Sequence, residues 1–419
     1  MLYSKTFTKT RKEAPKDEVS KNAKLLIRAG FIDKLSSGVY TYLPLGLRVL
    51  RKIETIVRNE MNALGAEELL MPALNPKENW LATGRWESMD DLYKIIDARG
   101  KEFALAPTHE EVVVPLVKQF ISSYRDLPLF VYQFQSKFRM ELRAKSGLLR
   151  GREFLMKDLY SFHEDEEDLK RFYKKVEVAY KKIFNTLEIG KETYRTYASG
   201  GSFSEYSYEF QTVTEAGEDT IYICSSCDIG INKEIIKNQR ECPSCTGEDF
   251  KEVRAIEVGN IFELKTKFSD AFDLNFKDKN GKTQKVIMGC YGLGIGRAMG
   301  AVVEVMGDKK GVRWPHAIAP FQFHLIEVPS ENPDINARAK RLYADLEKAG
   351  FEVFYDDRQV SAGIKFSDAD LMGIPYILTI GEETVKKGLL VELKNRESGA
   401  TRGIPESFSP TKWRYPLSM

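Results

Sequence analysis

Between residues 45 and 64 apolar side chains return every third or fourth position. Leu50, Ile53, Ile56, Val57 and Met61 fall on one helical face, and Gly65 follows as a C-cap. The period then changes. Residues 67–72 (E-E-L-L-M-P) and 129–139 predict strands, and a second strand is expected near 152–162 beyond a basic loop. A charged helix is predicted over 164–186 and a strand over 284–289, which runs into a glycine-rich turn and a helix from about Arg297. Near 313–320 the segment W-P-H-A-I-A-P breaks the pattern. Past it, strands at 321–328, 352–355 and 376–380 alternate with helices at 336–349 and 364–372. That alternation predicts a small α/β domain with a mainly parallel sheet, whereas the strand-rich first part suits an α+β domain, an antiparallel sheet flanked by helices. The expected division is 1–315 and 316–419, with a small cysteine-bearing insert at about 222–250.

Bulk properties narrow the picture by exclusion. The 419 residues are 42% hydrophobic and 30% charged, as in ordinary soluble proteins, and leave room for a substantial core. Lys and Arg total 63 against 61 for Asp and Glu. No global positive field marks a DNA-binding protein, so any RNA contact must come from local patches. No apolar run reaches the ~18 residues of a membrane span, and the first residues, M-L-Y-S-K-T-F-T-K-T-R-K, lack a signal-peptide core. Five cysteines do not suggest a disulfide scaffold, which makes the cytoplasm the expected compartment.

Candidate chemistry sits in short pieces. They are A-P-T-H-E-E at 106–111, F-R-M-E at 138–141, R-G-R-E-F at 150–154 and G-L-G-I-G-R at 292–297. Alternation along a strand puts Arg139 and Glu141 on one face, and Met156, Asp158 and Tyr160 on one face of the next, with Phe162 continuing it. Arg297 opens a helix after a glycine turn, a place that favours anions. Taken singly these are weak: an arginine at a strand end is usually solvated, and a glycine turn is usually a loop. Cys224, Cys227, Cys242 and Cys245 form C-S-S-C and C-P-S-C, the pattern of two knuckles around one Zn²⁺, with a redox pair or plain buried thiols as the alternative.

In this order and spacing the four pieces resemble the core of class II aminoacyl-tRNA synthetases. The flanking text, S-S-G-V-Y-T-Y-L-P-L-G-L-R-V, R-E-F-L-M-K-D-L-Y-S-F-H, E-V-G-N-I-F-E-L and M-G-C-Y-G-L-G-I-G-R, resembles the bacterial-type prolyl-tRNA synthetases over nearly the whole chain. The resemblance implies ligation of L-proline to tRNA(Pro) through a prolyl-adenylate, with ATP and Mg²⁺, by a homodimer. Arg139 would grip the α-phosphate and the amino-acid carboxylate, with Glu141 orienting the adenine amino group or a metal. Phe154 would stack on adenine, Arg297 would clamp the γ-phosphate, and Arg150 and Gln211 would stand beside ATP. Thr108 and Glu110 would accept the two N–H groups of the imino nitrogen, and Met156, Asp158, Tyr160, Tyr208 and Gly292 would surround the ring. Tyr208 takes the place of a histidine usual in the family. Arg143 and Lys145 would reach the acceptor end of the tRNA; Asp357, Arg358 and Lys365, within F-Y-D-D-R-Q-V-S-A-G-I-K-F, would meet the anticodon. Between the second and third motifs there is no room for the long hydrolytic insertion of many relatives, so Ala-tRNA is not expected to be cleared in cis. A non-catalytic paralogue on the same fold is the rival reading; the presence of Arg139, Glu141 and Arg297 weighs against it.

Overall fold

The structure, a computed structural model, describes residues 1–419 except 143, 145, 202, 204, 205, 238–240, 408, 410–412, 414 and 416–419. It divides into two compact units. One holds residues 35–40 and 53–301, the other 1–34, 41–52 and 302–419. The first 34 residues thus group with the C-terminal part, where the sequence pattern placed them with the body of 1–315.

The larger unit is built on strands β1 (Glu67–Glu68), β2 (Leu129–Phe138), β3 (Glu153–His163), β4 (Thr193–Ser199), β5 (Tyr206–Val213), β6 (Asp219–Cys224), β7 (Gly230–Asn232), β8 (Phe250–Lys265) and β9 (Ile287–Gly294). Among the described residues they form one sheet in the order β5-β4-β7-β6-β8-β9-β3-β2-β1. The 16-residue β8 pairs through its first part with β6 and through its second with β5, so five strands close into a ring. Across the centre, β8, β9, β3 and β2 are antiparallel to their neighbours. Helix Glu166–Thr186 covers one face with Leu169, Phe172, Tyr173, Val176, Tyr180 and Ile183, the buried stripe of its 3.6-residue period. Asp165 caps its first turn by accepting from Asp168 N at 2.8 Å. Helix Pro44–Ala63 buries Leu50, Ile53, Val57 and Met61; Ile56 is only half-buried. Gly65 follows it at φ +80°, a conformation that glycine adopts freely. Only Glu67 and Glu68 of the predicted 67–72 strand pair with a neighbour.

In the second unit β10 (Phe323–Glu327), β11 (Val353–Asp356), β12 (Tyr376–Ile380), β13 (Leu389–Asn395) and β14 (Thr401–Pro405) lie in the order β11-β10-β12-β13-β14. The first three are parallel, joined by helices Pro333–Lys348 and Ala362–Met372; the last two are antiparallel, so this sheet is more mixed than the alternation implied. The N-terminal segment docks within this unit. Leu2 bridges to Tyr355, Tyr3 stacks on Phe354 with centroids 4.9 Å apart, and Thr10 Oγ1 donates to Asp368 at 2.7 Å.

Candidate active site

Where β3, β9 and β8 lie side by side, the larger unit holds a cavity of about 240 Å³. Its floor follows from strand alternation. Met156, Asp158 and Tyr160 of β3 face it, in register with Gly294, Gly292 and Cys290 of β9. A bulge in β8 opposite Phe210 and Gln211 lets Glu257, Val258 and Gly259 line the wall in succession, with Asn260 beside them. A Cβ on Gly292 would stand 3.6 Å from Met156 Sδ, so its absence keeps the floor open.

At one end the polar side chains form a connected network, although Asp158 Oδ1 keeps no hydrogen-bond partner. The Thr108 hydroxyl donates to the Glu110 carboxylate behind it, and the Cys290 thiol donates to Glu110 Oε1 at 3.2 Å. The Asp158 carboxylate lies 2.9 Å from Lys137 Nζ, and accepts from Gln133 Nε2 at 2.9 Å and Tyr160 OH at 3.0 Å. Tyr160 OH in turn accepts from His109 N at 3.0 Å. Lys137 Nζ also donates to His109 Nδ1, so Nε2 of the ring carries the proton and donates to Pro72 O at 3.2 Å. Burial, followed by the Lys137 charge, pushes His109 down to about 4. The histidine is neutral at ordinary pH.

The other end is different. Arg139 and Arg297 both face the cavity. Arg139 lies 5.3 Å over the Phe154 ring and touches Pro107 O at 3.5 Å, but its Nε is buried without a partner. Arg297 donates to Glu257 O at 2.6 Å and stands 3.5 Å from its carboxylate. Burial first, then the neighbouring Arg297, opposes the charge on Arg139. Two cations converging on a cavity with an orphaned donor form an anion site.

Of the residues expected around proline and ATP, Thr108, Arg139, Met156, Asp158, Tyr160, Gly292 and Arg297 line this cavity. Glu110 lies just behind Thr108, and Phe154 beneath Arg139. Glu141 and Arg150 do not line it. The strand ends at Phe138, Glu141 N turns back to Arg139 O, and the Glu141 carboxylate accepts from Arg150 Nε at 2.7 Å while Arg150 also pairs with Glu218. Gln211 is buried short of the cavity, donating to Glu209 at 2.7 Å and Asp219 at 2.9 Å. Burial, aided by Glu257, pushes the Glu209 carboxyl up.

Tyr208 corrects the sequence reading. Its neighbours Glu209 and Gln211 bond one another and Asn260 on the cavity side of β5. Tyr208, one residue out of phase, faces the helix side, 4.5 Å from the Tyr197 ring and 4.8 Å under Arg195. Alternation excludes it from the pocket. The anticodon candidates also differ from expectation. Lys365 is buried, its ammonium given to Glu327 O at 2.6 Å and Asp356 O at 2.9 Å. Arg358 lies 3.6 Å over Tyr3 and pairs with Asp356 and Asp368, and Asp357 accepts from Ser4 N at 2.9 Å. Lys365 therefore serves the fold, while Asp357 and Arg358 stay half-buried. Arg143 and Lys145 lie outside the described residues.

Residues given no role by the sequence also belong here: Lys137, Phe203, Glu257 and Asn260 of the E-V-G-N-I-F-E-L segment and, behind Glu110, Arg85. Ser161, His163 and Asp168 line up at 2.8 Å and 2.5 Å like a hydrolytic triad. Ser161 and His163 are fully buried, and the serine is shared with Tyr291 OH at 3.0 Å, so no substrate reaches them. Away from the cavity, the sulfurs of Cys224, Cys227, Cys242 and Cys245 lie within 4.8 Å of one another, and none is in a disulfide. Sulfurs held by one zinc at about 2.3 Å would stand about 3.8 Å apart, so this donor set fits.

With the geometry in place, comparison with known proteins is informative. The profile of the tRNA synthetase class II core domain (G, H, P, S and T) matches residues 93–306, and that of an anticodon binding domain matches 317–412. A proline–tRNA ligase of Anaplasma phagocytophilum is 40% identical over 417 residues, covering 95% of this chain and 96% of the relative. That of Oleidesulfovibrio alaskensis is 33% identical over 557 aligned positions, covering 97% of this chain and 96% of the relative. The second alignment is longer than this chain, so the relative carries sequence with no counterpart here. The crystal structure of a prolyl-tRNA synthetase from Cryptosporidium parvum, bound to halofuginone and AMPPNP, covers 91% of this chain and is itself 73% covered. Its TM-score is 0.75 at 20% identity, a likeness of fold.

Proposed function

The chain belongs to the proline–tRNA ligase family of class II aminoacyl-tRNA synthetases, and from that premise we propose how its own residues divide the work. The enzyme attaches proline to tRNA in an ATP-dependent reaction. The carrying observation is the cavity's two-ended polarity, with the Thr108 hydroxyl backed by Glu110 at one end and Arg139 and Arg297 at the other, the Arg139 Nε lacking a partner.

Thr108 and Glu110 accept the two N–H groups of proline's secondary ammonium, each charge-assisted bond contributing ~1.5–3 kcal/mol. Met156 and Tyr160 bound the ring, with Asp158 held in place by Lys137 and Gln133. The proline carboxylate then meets Arg139, where the α-phosphate of ATP, entering with its Mg²⁺, also arrives. The carboxylate oxygen attacks phosphorus, a P–O bond to the diphosphate breaks, and Arg139 and Arg297 stabilise the growing negative charge. No base is needed, because the attacking carboxylate is already ionised. Phe154, under Arg139, offers its ring to adenine. The terminal ribose hydroxyl of the tRNA subsequently takes the prolyl group. Glu141, Arg150 and Gln211 act at the rim only once ATP draws them from their present partners.

The four cysteines would hold a structural Zn²⁺, which crosslinks the two knuckles and takes no part in the chemistry. We assign residues 1–315 to the catalytic part and 316–419 to tRNA recognition, with Arg143, Lys145, Asp357 and Arg358 as contacts, in a cytoplasmic homodimer. Without the extra segment of the longer relatives, this chain does not hydrolyse Ala-tRNA in cis; a missing methylene gives only ~1–3 kcal/mol of discrimination, so alanine is activated weakly.

Amino-acid-dependent exchange of pyrophosphate into ATP, run across the twenty amino acids, tests this reading. Strong exchange with proline and weak exchange with alanine is expected; silence with all twenty in folded, Mg²⁺-supplied protein would refute it. Rapid clearance of Ala-tRNA by the chain alone would refute the editing statement, and a metal content near zero in purified protein would refute the zinc site.

A further inference from the structure

Glu110 and Glu111 are consecutive carboxylates in the first turn of helix Glu110–Val117, and both are fully buried. Two adjacent buried anions repel and resist ionisation unless a cation holds them. That cation is Arg85, a residue 25 positions upstream in the short helical turn Arg85–Ser88, and itself 3% exposed. Its Nη1 lies 3.0 and 3.1 Å from the two oxygens of Glu111 and 3.4 Å from Glu110 Oε2, the oxygen that accepts from Thr108. Its carbon centre stands 4.9 Å from the Phe203 ring, with Trp80 at 5.5 Å and Phe268 at 5.6 Å. Phe203 is a wall of the cavity.

We propose that Arg85 is a positioning residue of the proline site: it holds the Glu110 side chain in place against Thr108 and ties that acceptor to Phe203. The inference rests on the reading of Glu110 as the acceptor for proline's nitrogen. One guanidinium divides two carboxylates into two tasks. Glu111, which also accepts from Thr83 Oγ1 at 2.9 Å, fixes the arginine; Glu110, touched more lightly, keeps its outer oxygen for Thr108 and the substrate. The remaining groups facing Glu110 are the Cys290 thiol, Lys137 and Tyr160, and those facing Glu111 include Lys267. Of these, Lys137 is spent on Asp158 and His109 and does not replace Arg85. Burial opposes charge on Arg85, but Glu111 and Glu110 more than restore it, while burial pushes the Glu111 carboxyl up. Two guanidinium nitrogens of Arg85 are buried without partners, as expected of a group whose position is set by ring faces and one carboxylate.

The test is steady-state pyrophosphate exchange by R85M, R85K and E110Q. R85M should raise KM for proline at least about tenfold at pH 7.5, with kcat and KM for ATP within about twofold. R85K should recover most of the loss. Should R85M not accumulate as folded protein, R85M/E111Q removes the buried cation together with the carboxylate it holds, and the same rise in KM is expected. If E110Q raises KM but the Arg85 variants leave it within twofold, the inference fails alone. If E110Q itself has no effect, the proline-site reading falls and takes the inference with it.

Discussion

The two ends of the cavity face the same solvent yet are built on opposite rules. At the Thr108 end, Lys137, Asp158, Gln133, Tyr160 and His109 are bonded to one another in one network, cation against anion. At the Arg139 end, a guanidinium nitrogen is buried without a partner and two like charges face each other. The first end is held by the protein; the second is completed by what it binds. Substitutions should therefore damage stability at one end and catalysis at the other.

The sharpest way to break this contrast is Lys137→Met. It leaves Asp158 buried without its cation and should lower unfolding free energy by ~3–5 kcal/mol in urea titrations, with most of that returned by the K137M/D158N pair. Arg139→Ala should do the reverse. Proline-dependent exchange should drop about 10²–10³-fold, while the melting temperature holds or rises as the repulsion with Arg297 is relieved. A smaller effect comes from pH. Folded His109 binds its proton only near pH 4 whereas the unfolded chain binds it near 6.5, so the unfolded state takes up the proton first. Stability should accordingly fall as pH drops from about 6.5 to about 4, by up to ~1.4 kcal/mol per unit, and His109→Gln should flatten that limb. Buried His324, also pushed down to about 4, should retain a similar slope of its own. The smallest change belongs to Tyr208→Phe, which should move KM for proline by less than about twofold, since the ring faces the helix. A tenfold change there would show that the sheet presents its other face.

Much of this was legible from residue order. Alternation on β3 correctly placed Met156, Asp158 and Tyr160 in the cavity, and a glycine turn before a helix placed Arg297. The same rule, applied from Glu209 and Gln211, places Tyr208 on the far face; motif position pointed the other way and was misleading. Lys137 was available to the same argument, two residues before Arg139, but a lysine in a strand ordinarily reads as surface. Arg85 carried no such signal. It comes from a distant four-residue helical turn, and only the fold brings it beneath Glu110. Lys365 shows the converse, a basic residue marked by its motif whose charge is absorbed by two carbonyls.

The ring closed by β8 has a consequence for the edges of the large sheet. Because β5 pairs with both β4 and β8, among the described residues every strand of the large sheet has at least two partners except β1. The terminal strand of this sheet is thus only two residues long, Glu67 and Glu68, with exposed Leu70 just beyond. Two glutamates at so short a rim discourage indiscriminate stacking. The same closure that shapes the cavity thereby leaves the large sheet with one short, acidic terminal strand, a poor template for indiscriminate pairing.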